Sequence, residues 1–335
     1  MGHRERRSQI IRIRPSGRRR LVVGPSVSKK KGRGMKSELK GIISAILTPF
    51  TKDGASIDEA AYARLVRSQR DAGIHAVVAS GSTGEHPALS VAERKRLYEI
   101  AVENAGERMD VVAHVGSSNL RDALDLAQHA RNVGVDQMLV LTPYFDNLKF
   151  PDVQRFLDKI VKIAGGPIIY YDTPANTRLD ITEDQMVTLK RDGLVSYIKD
   201  SPQNFTRTMR MLSNPDAPTV LAGCDPALLA VLAHGAPGSI IGASTFIPEL
   251  CVELYDRISV DKDWNAALKV WDRLWPVLNF MLLNGYVPLA KAGSDIRGLP
   301  LGNPREPMAP SSPELRERLK AVLEASGVKS LPLAA

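Results

Sequence analysis

The sequence predicts an α/β fold: a (β/α)8 TIM barrel with a C-terminal helical extension. Three observations lead there. Eight short runs rich in β-branched residues alternate with eight amphipathic stretches across roughly 210 residues, which parallel strands joined by crossover helices require. After about residue 247 the strand pattern stops and only helical periodicity continues. The chain of 335 residues, 44% hydrophobic and 24% charged, is long enough for one large barrel with an appendage.

The elements follow in order. Residues 41–47 (GIISAIL) form a first strand, stopped by Thr48-Pro49. Asp58 is placed to cap a helix running to Ala72. A second strand at 75–79 enters Gly81-Ser82-Thr83-Gly84-Glu85, and Ser90 caps the next helix, to about Asn104. The third strand is 110–114, with a helix at about 119–132. The fourth is 136–141, and the loop Thr142-Pro143-Tyr144-Phe145 leads to a helix near Pro151. The fifth strand is 167–171, with a helix at 182–191. The sixth is 195–198, with Lys199 at its end and a helix at about 203–212. The seventh is 218–222, with Asp225 expected to cap a helix to His234; the eighth is 238–242. Helices fill the rest, broken by Pro300, Pro304, Pro307 and Pro310 before a last one at about 313–325. Trp264, Trp271, Trp275 and Leu283 recur at roughly helical spacing and read as packing.

Charge divides the chain unevenly. Residues 1–34 hold 12 of the 45 Lys/Arg and one of the 37 acids, so this segment is +11 and the remainder −3. The expected organisation is a basic, disordered extension over 1–34, the barrel over 35–247 and the helical region over 248–335. The extension reads best as sequence upstream of a natural start at Met35; a nucleic-acid arm and a targeting peptide are the rival readings. No run approaches the roughly 18 apolar residues of a membrane span. Two cysteines, Cys224 and Cys251, give no disulfide framework, and a cytoplasmic location is the simplest expectation.

In this barrel, chemistry sits at the C-terminal ends of the strands. Ser82, Thr83, Tyr144, Tyr171 and Lys199 all fall at such ends. Lysine is almost never fully buried unless paired, and its amine is the group that condenses with a carbonyl to give a Schiff base. A phenol can shuttle protons while the carbinolamine forms and collapses. Backbone N–H groups of a glycine-rich turn can hold a carboxylate. Each residue also has an ordinary reading: a snorkelling lysine, a tight loop, a core tyrosine with a hydrogen-bonded tip. Their joint placement at one rim favours the chemical reading. His75, His86 and His114 lack metal-ligand spacing, so no metal is expected; Cys224 reads as an inert thiol.

Five segments stand in one order: Gly-Ile-Ile-Ser-Ala-Ile-Leu-Thr-Pro-Phe (41–50), Gly-Ser-Thr-Gly-Glu (81–85), Thr-Pro-Tyr (142–144), Tyr-Asp-Thr-Pro (171–174) and Ile-Lys-Asp (198–200). Together they resemble the dihydrodipicolinate synthase/N-acetylneuraminate lyase family of class I, Schiff-base-forming lyases, over about residues 40–325. The resemblance implies a Schiff base between Lys199 and a 2-oxo acid such as pyruvate, with Tyr171 relaying protons. It implies that Ser82 and Thr83 hold the substrate carboxylate and that Ile240 lines the pocket. It also implies a homotetramer, a dimer of dimers, with no metal or organic cofactor. Two positions depart from the lysine-pathway enzyme of that family. Phe145 stands where a second tyrosine relays a proton into the neighbouring subunit's site, and Asn176 where an arginine meets the second substrate's carboxylate. Arg178, two residues further on, is a candidate replacement for that arginine.

The expected function is therefore an aldolase or dehydratase acting on pyruvate or a 2-keto-3-deoxy acid. Dihydrodipicolinate (4-hydroxy-tetrahydrodipicolinate) synthase activity, condensing pyruvate with aspartate semialdehyde, is the alternative within the class. A non-catalytic ligand-binding barrel with a nucleic-acid-binding basic arm is the alternative outside it; nucleic acid and membrane partners are not expected. A phosphate-binding isomerase has only a faint loop at Gly242-Ala-Ser-Thr245 in its favour.

Overall fold

The computed structural model describes residues 38–201 and 204–330; the basic segment 1–34 lies outside them. Eight parallel strands close into a barrel in sequence order: β1 Gly41–Ala45, β2 Ala76–Ala79, β3 Asp110–His114, β4 Gln137–Leu141, β5 Ile168–Asp172, β6 Val195–Asp200, β7 Thr219–Ala222 and β8 Gly238–Ile241. Closure is the β1–β8 ladder, in which Ile43 stands opposite Ile240. The crossover helices are α1 Glu59–Asp71, α2 Val91–Ala105, α3 Leu120–Val133, α4 Phe150–Ala164, the one-turn α5 Pro174–Thr177 with α6 Glu183–Arg191, α7 Phe205–Ser213 and α8 Leu228–Ala233.

Strand periodicity decides which side chains enter the barrel. Ile43, Val78, Val112, Leu139, Ile169, Tyr171, Tyr197, Leu221 and Ile240 form one interior cluster. Burying each large aliphatic side chain there is worth about 1.5–3 kcal/mol. Lys199, two residues after Tyr197, takes the same inward direction at the top of β6. Its neighbour Asp200, and Asp172 beside it on β5, take the opposite one.

Local signals set several boundaries as expected. Asp58 accepts the Ala61 N–H, and Ser90 with Glu93 forms a capping box, interactions worth about 1 kcal/mol each. Asp225 does not cap. Residues Asp225–Ala227 form a 3-10 turn before α8, because the Asp225 carboxylate turns away to accept the Ala243 N–H and the Tyr286 hydroxyl. The β1 ladder ends at Ala45, two residues short of the expected end.

The C-terminal helices are α9 Pro248–Tyr255, α10 Trp264–Asn284, α11 Tyr286–Ile296 and α12 Pro313–Ala325, with a π-helical turn, Asp256–Val260, after α9. The tryptophan stripe is only partly packing. Trp271 packs against the core, whereas Trp264, Trp275 and Leu283 are exposed, since spacing alone cannot say which face of a helix is covered. No helix among the described residues is long and apolar enough to cross a membrane.

Candidate active site

Lys199 and Tyr171 stand side by side on β6 and β5, in register. The Lys199 Nζ lies 4.1 Å from the centroid of the Tyr171 ring. Lys199 is 4% exposed, so the snorkelling reading does not hold. Burial pulls the Tyr171 phenol upward, but the Lys199 charge and hydrogen bonds with Ser82, Ser201 and Lys199 outweigh it. The phenol therefore sits below its ordinary value. Ser82 is exposed as a residue, though its hydroxyl bonds the Tyr171 phenol, while Thr83 is buried.

That loop is held from three sides. Thr48 Oγ1 donates to the Gly84 carbonyl at 2.7 Å. A β-carbon at Gly84 would come 3.0 Å from the Ile46 carbonyl oxygen, which is why the position is glycine. Ser80 and Glu85, at the loop's two ends, adopt positive φ of 53° and 59°. Such conformations persist only where the surroundings over-determine them. At Glu85 the surroundings are Lys291, whose Nζ lies 2.9 Å from Glu85 Oε1, and the Arg305 N–H, 2.8 Å from Oε2. Both Glu85 and Lys291 are almost fully enclosed, and burial pushes the Lys291 ammonium down to about 8 against the pull of Glu85.

A second network braces the outer side of the same strands. Arg207 on α7 bonds the carboxylates of Asp172 and Asp200, and Thr208 Oγ1 donates to Asp200 Oδ2 at 2.5 Å. Burial pushes the Asp172 carboxyl up to about 6 despite Arg207. Sequence reasoning missed this network, though its signal was present: an aspartate directly follows each of Tyr171 and Lys199.

Beside the loop opens a cavity of about 670 Å³, lined by Ser82, His86, Tyr144, Thr173, Asn176 and Arg305 among others. Asn176 is exposed, and its Oδ1 accepts the Thr173 hydroxyl at 2.8 Å. Phe145, next to Tyr144, is exposed. Arg305 carries the one fixed positive charge in the lining, and its guanidinium is occupied. Nε donates to the Gly54 carbonyl, Nη1 to that of Ala88, and Nη2 to Glu93 at 2.7 Å. Arg178 lines a different cavity, with Asp180, Glu183 and Arg210, so it does not take the place of an arginine at Asn176.

Ile240 is fully buried in the barrel interior with Tyr171. His86 and His114 meet edge to face at 4.6 Å, while His75 lies apart, its Nδ1 accepting the Ile42 N–H. Burial lowers His86 to about 3 and also lowers His114, so both are neutral imidazoles. No group of three or more metal-ligating side chains occurs among the described residues. Cys224 is half-buried, with its thiol pushed up by burial.

An eight-strand barrel with an enclosed lysine against a phenol, beside a glycine-rich loop, fits the class of Schiff-base-forming lyases of the pyruvate type. The chain belongs to the dihydrodipicolinate synthetase family, whose model matches residues 38–326. A relative from Parvibaculum lavamentivorans, named 4-hydroxy-tetrahydrodipicolinate synthase, is 32% identical over 290 residues, covering 86% of this chain and 99% of its own length. One of the same name from Bartonella bacilliformis is 32% identical over 292 residues, covering 87% and 99%. Among solved structures, YagE from E. coli K12, a prophage protein of the dihydrodipicolinic acid synthase family in complex with pyruvate, superposes with a TM-score of 0.80 at 27% identity, over 87% of this chain and 99% of that one. CdNal from Clostridium difficile, in complex with mannosamine, gives 0.80 at 26%, over 87% and 100%.

Proposed function

We propose that Lys199 forms the Schiff base and that the chain cleaves or dehydrates a 2-keto-3-deoxy acid whose far end carries no charge. The observation that carries the first part is the Lys199–Tyr171 pair: an amine beside a phenol that is itself held below its ordinary pKa, enclosed together at the strand ends. The Lys199 amine attacks the 2-oxo carbon. Tyr171 delivers a proton to the departing carbinolamine oxygen, which leaves as water, and the iminium that results is an electron sink. Ser82 and Thr83 hold the substrate's carboxylate through the loop's hydroxyls and N–H groups. Tyr144 and Asn176 line the space for the rest of the molecule, and Ile240 supplies apolar wall.

The uncharged far end follows from the cavity beside the Ser82 loop. Asn176 is neutral there and the guanidinium of Arg305 is occupied, so a second carboxylate would be desolvated without a bidentate partner. The reading takes no metal or organic cofactor, a homotetramer as the working assembly and the cytoplasm as the setting. Condensation of pyruvate with aspartate semialdehyde is the second reading, favoured by the name carried by the relatives at 32% identity. A screen of 2-keto-3-deoxy acids for pyruvate release, run beside pyruvate with aspartate semialdehyde, separates the two. Release from a neutral-tailed acid with no semialdehyde turnover is the expected result. Efficient semialdehyde condensation and no release would reverse the choice.

A further inference from the structure

The cavity beside the Ser82 loop carries three charged side chains, Glu85, Arg305 and Glu306, and they are not equivalent. Its wall reaches the reacting centre at two points. Leu141 stands opposite Tyr171 in the β4–β5 ladder, and the Ser82 hydroxyl bonds the Tyr171 phenol. Two of the three charges are satisfied within the protein. Glu85 is neutralised by Lys291 and accepts the Arg305 N–H, and the Arg305 guanidinium is neutralised by Glu93. Glu306 is exposed, and among the described residues no hydrogen bond or ion pair engages its carboxylate.

The backbone on either side of Glu306 is tied down. The Leu301 carbonyl accepts the Phe50 N–H at 3.1 Å, and the Asn303 carbonyl accepts the Lys291 ammonium at 2.8 Å. The Arg305 carbonyl accepts the Met308 N–H at 3.2 Å, which closes a turn with Glu306 and Pro307 at its corner. Glu306 therefore joins the cavity wall from a fixed segment. The one unmatched charge there is negative, while Tyr144 and Asn176 add neutral hydrogen-bonding groups. A carboxylate entering this space loses water and meets a like charge. A hydroxyl entering it finds an acceptor for a charge-assisted hydrogen bond.

We propose that Glu306 selects the substrate's tail. It accepts hydrogen bonds from the terminal hydroxyls of a polyhydroxylated 2-keto-3-deoxy acid, and it repels an acid that ends in a second carboxylate. This rests on the neutral-tailed substrate class proposed above and deepens it by naming the selecting residue and the polyhydroxy tail.

Two acids form a matched pair for the test: 2-keto-3-deoxygluconate and 2-keto-3-deoxyglucarate differ only in a hydroxymethyl or a carboxylate at C6. Both carry the C1 carboxylate, so effects at the Ser82 loop cancel in the ratio of their kcat/KM values. Loss of each acid registers cleavage and dehydration alike. The unmodified protein is expected to favour the gluconate acid by about tenfold or more. In Glu306→Gln we expect the glucarate acid to gain about three- to thirtyfold and the gluconate acid to lose about two- to tenfold. Glu306→Lys should carry the ratio further toward the glucarate acid, by a gain that shrinks between about 0.05 and about 0.5 M salt. A merely structural role does not move the two acids in opposite directions. A ratio within about twofold of the unmodified protein's in both variants, or parallel loss of both acids, would overturn this proposal alone. An unmodified protein that prefers the glucarate acid, or consumes neither, overturns the neutral-tailed class and this proposal with it. Trapping of pyruvate on Lys199, run alongside, keeps the Schiff-base reading separate from both.

Discussion

On the inner side of the barrel mouth, Lys199, Tyr171 and Thr83 are buried, and the loop and strands that carry them are fixed by the Lys291–Glu85 pair and by Arg207 between two aspartates. On its outer side, Tyr144, Phe145 and Asn176 are exposed and neutral, and no ion pair braces them among the described residues. The first side is built where a reaction tolerates little displacement, since misplacing reacting groups by an ångström costs orders of magnitude in rate. The second side is built where a partner is chosen, and neutral hydrogen-bonding groups can be exchanged there without disturbing the strand ends. The difference teaches that one barrel can keep its chemistry and change its substrate, because separate residues carry the two tasks.

The comparison breaks first at Lys199. Lys199→Ala removes the only amine of the proposed reaction, and both pyruvate exchange and lyase turnover are expected to fall to background in a steady-state assay. Tyr171→Phe keeps the ring under Lys199 and loses the proton relay. A fall in kcat of about 10²–10⁴-fold is expected, and a loss below tenfold would place the relay elsewhere. On the bracing, Lys291→Met leaves Glu85 enclosed without its partner. A destabilisation of about 3–5 kcal/mol in urea unfolding is expected, and a shift under about 1 kcal/mol would show that the pair does not hold the loop.

The aspartate bracing also has a pH signature. Asp172 titrates near 6 in the folded protein, above its ordinary value. The native state therefore binds the proton more tightly than the unfolded chain, and this group's contribution makes stability fall as pH rises from about 4 to about 6. Asp172→Asn should flatten that part of the stability–pH curve; an unchanged slope would remove Asp172 from the account. The smallest effect is expected on the open side. Asn176→Ala should change kcat/KM by less than about tenfold, since it removes one exposed neutral hydrogen bond worth about 0.5–1.5 kcal/mol. A hundredfold loss would show that this side is as exacting as the other.

Much of this was legible in the chain. Eight alternations gave the barrel, and the inward direction of Lys199 follows from its place two residues after Tyr197 on a strand that pairs with β5. Asp58 and Ser90 marked helix starts because a cap is a local interaction. Asp225 has the same composition signal and does something else, because its partners Ala243 and Tyr286 are 18 and 61 positions away. Glu85 meets Arg305 across 220 positions. Nothing in the spacing of either residue announces such a contact, since closure of the barrel, not local sequence, creates it. The aspartates behind Tyr171 and Lys199 were visible as residues, but their shared arginine required α7 to be laid against β5 and β6.

The central claim is that Lys199 is the residue that becomes covalently joined to pyruvate. Borohydride reduction of the protein with pyruvate, followed by peptide mass spectrometry, tests it directly. The account predicts an irreversible pyruvyl adduct on the peptide carrying Lys199, absent from Lys199→Ala. An unmodified Lys199 under saturating pyruvate, or an adduct on another lysine that survives Lys199→Ala, would contradict it.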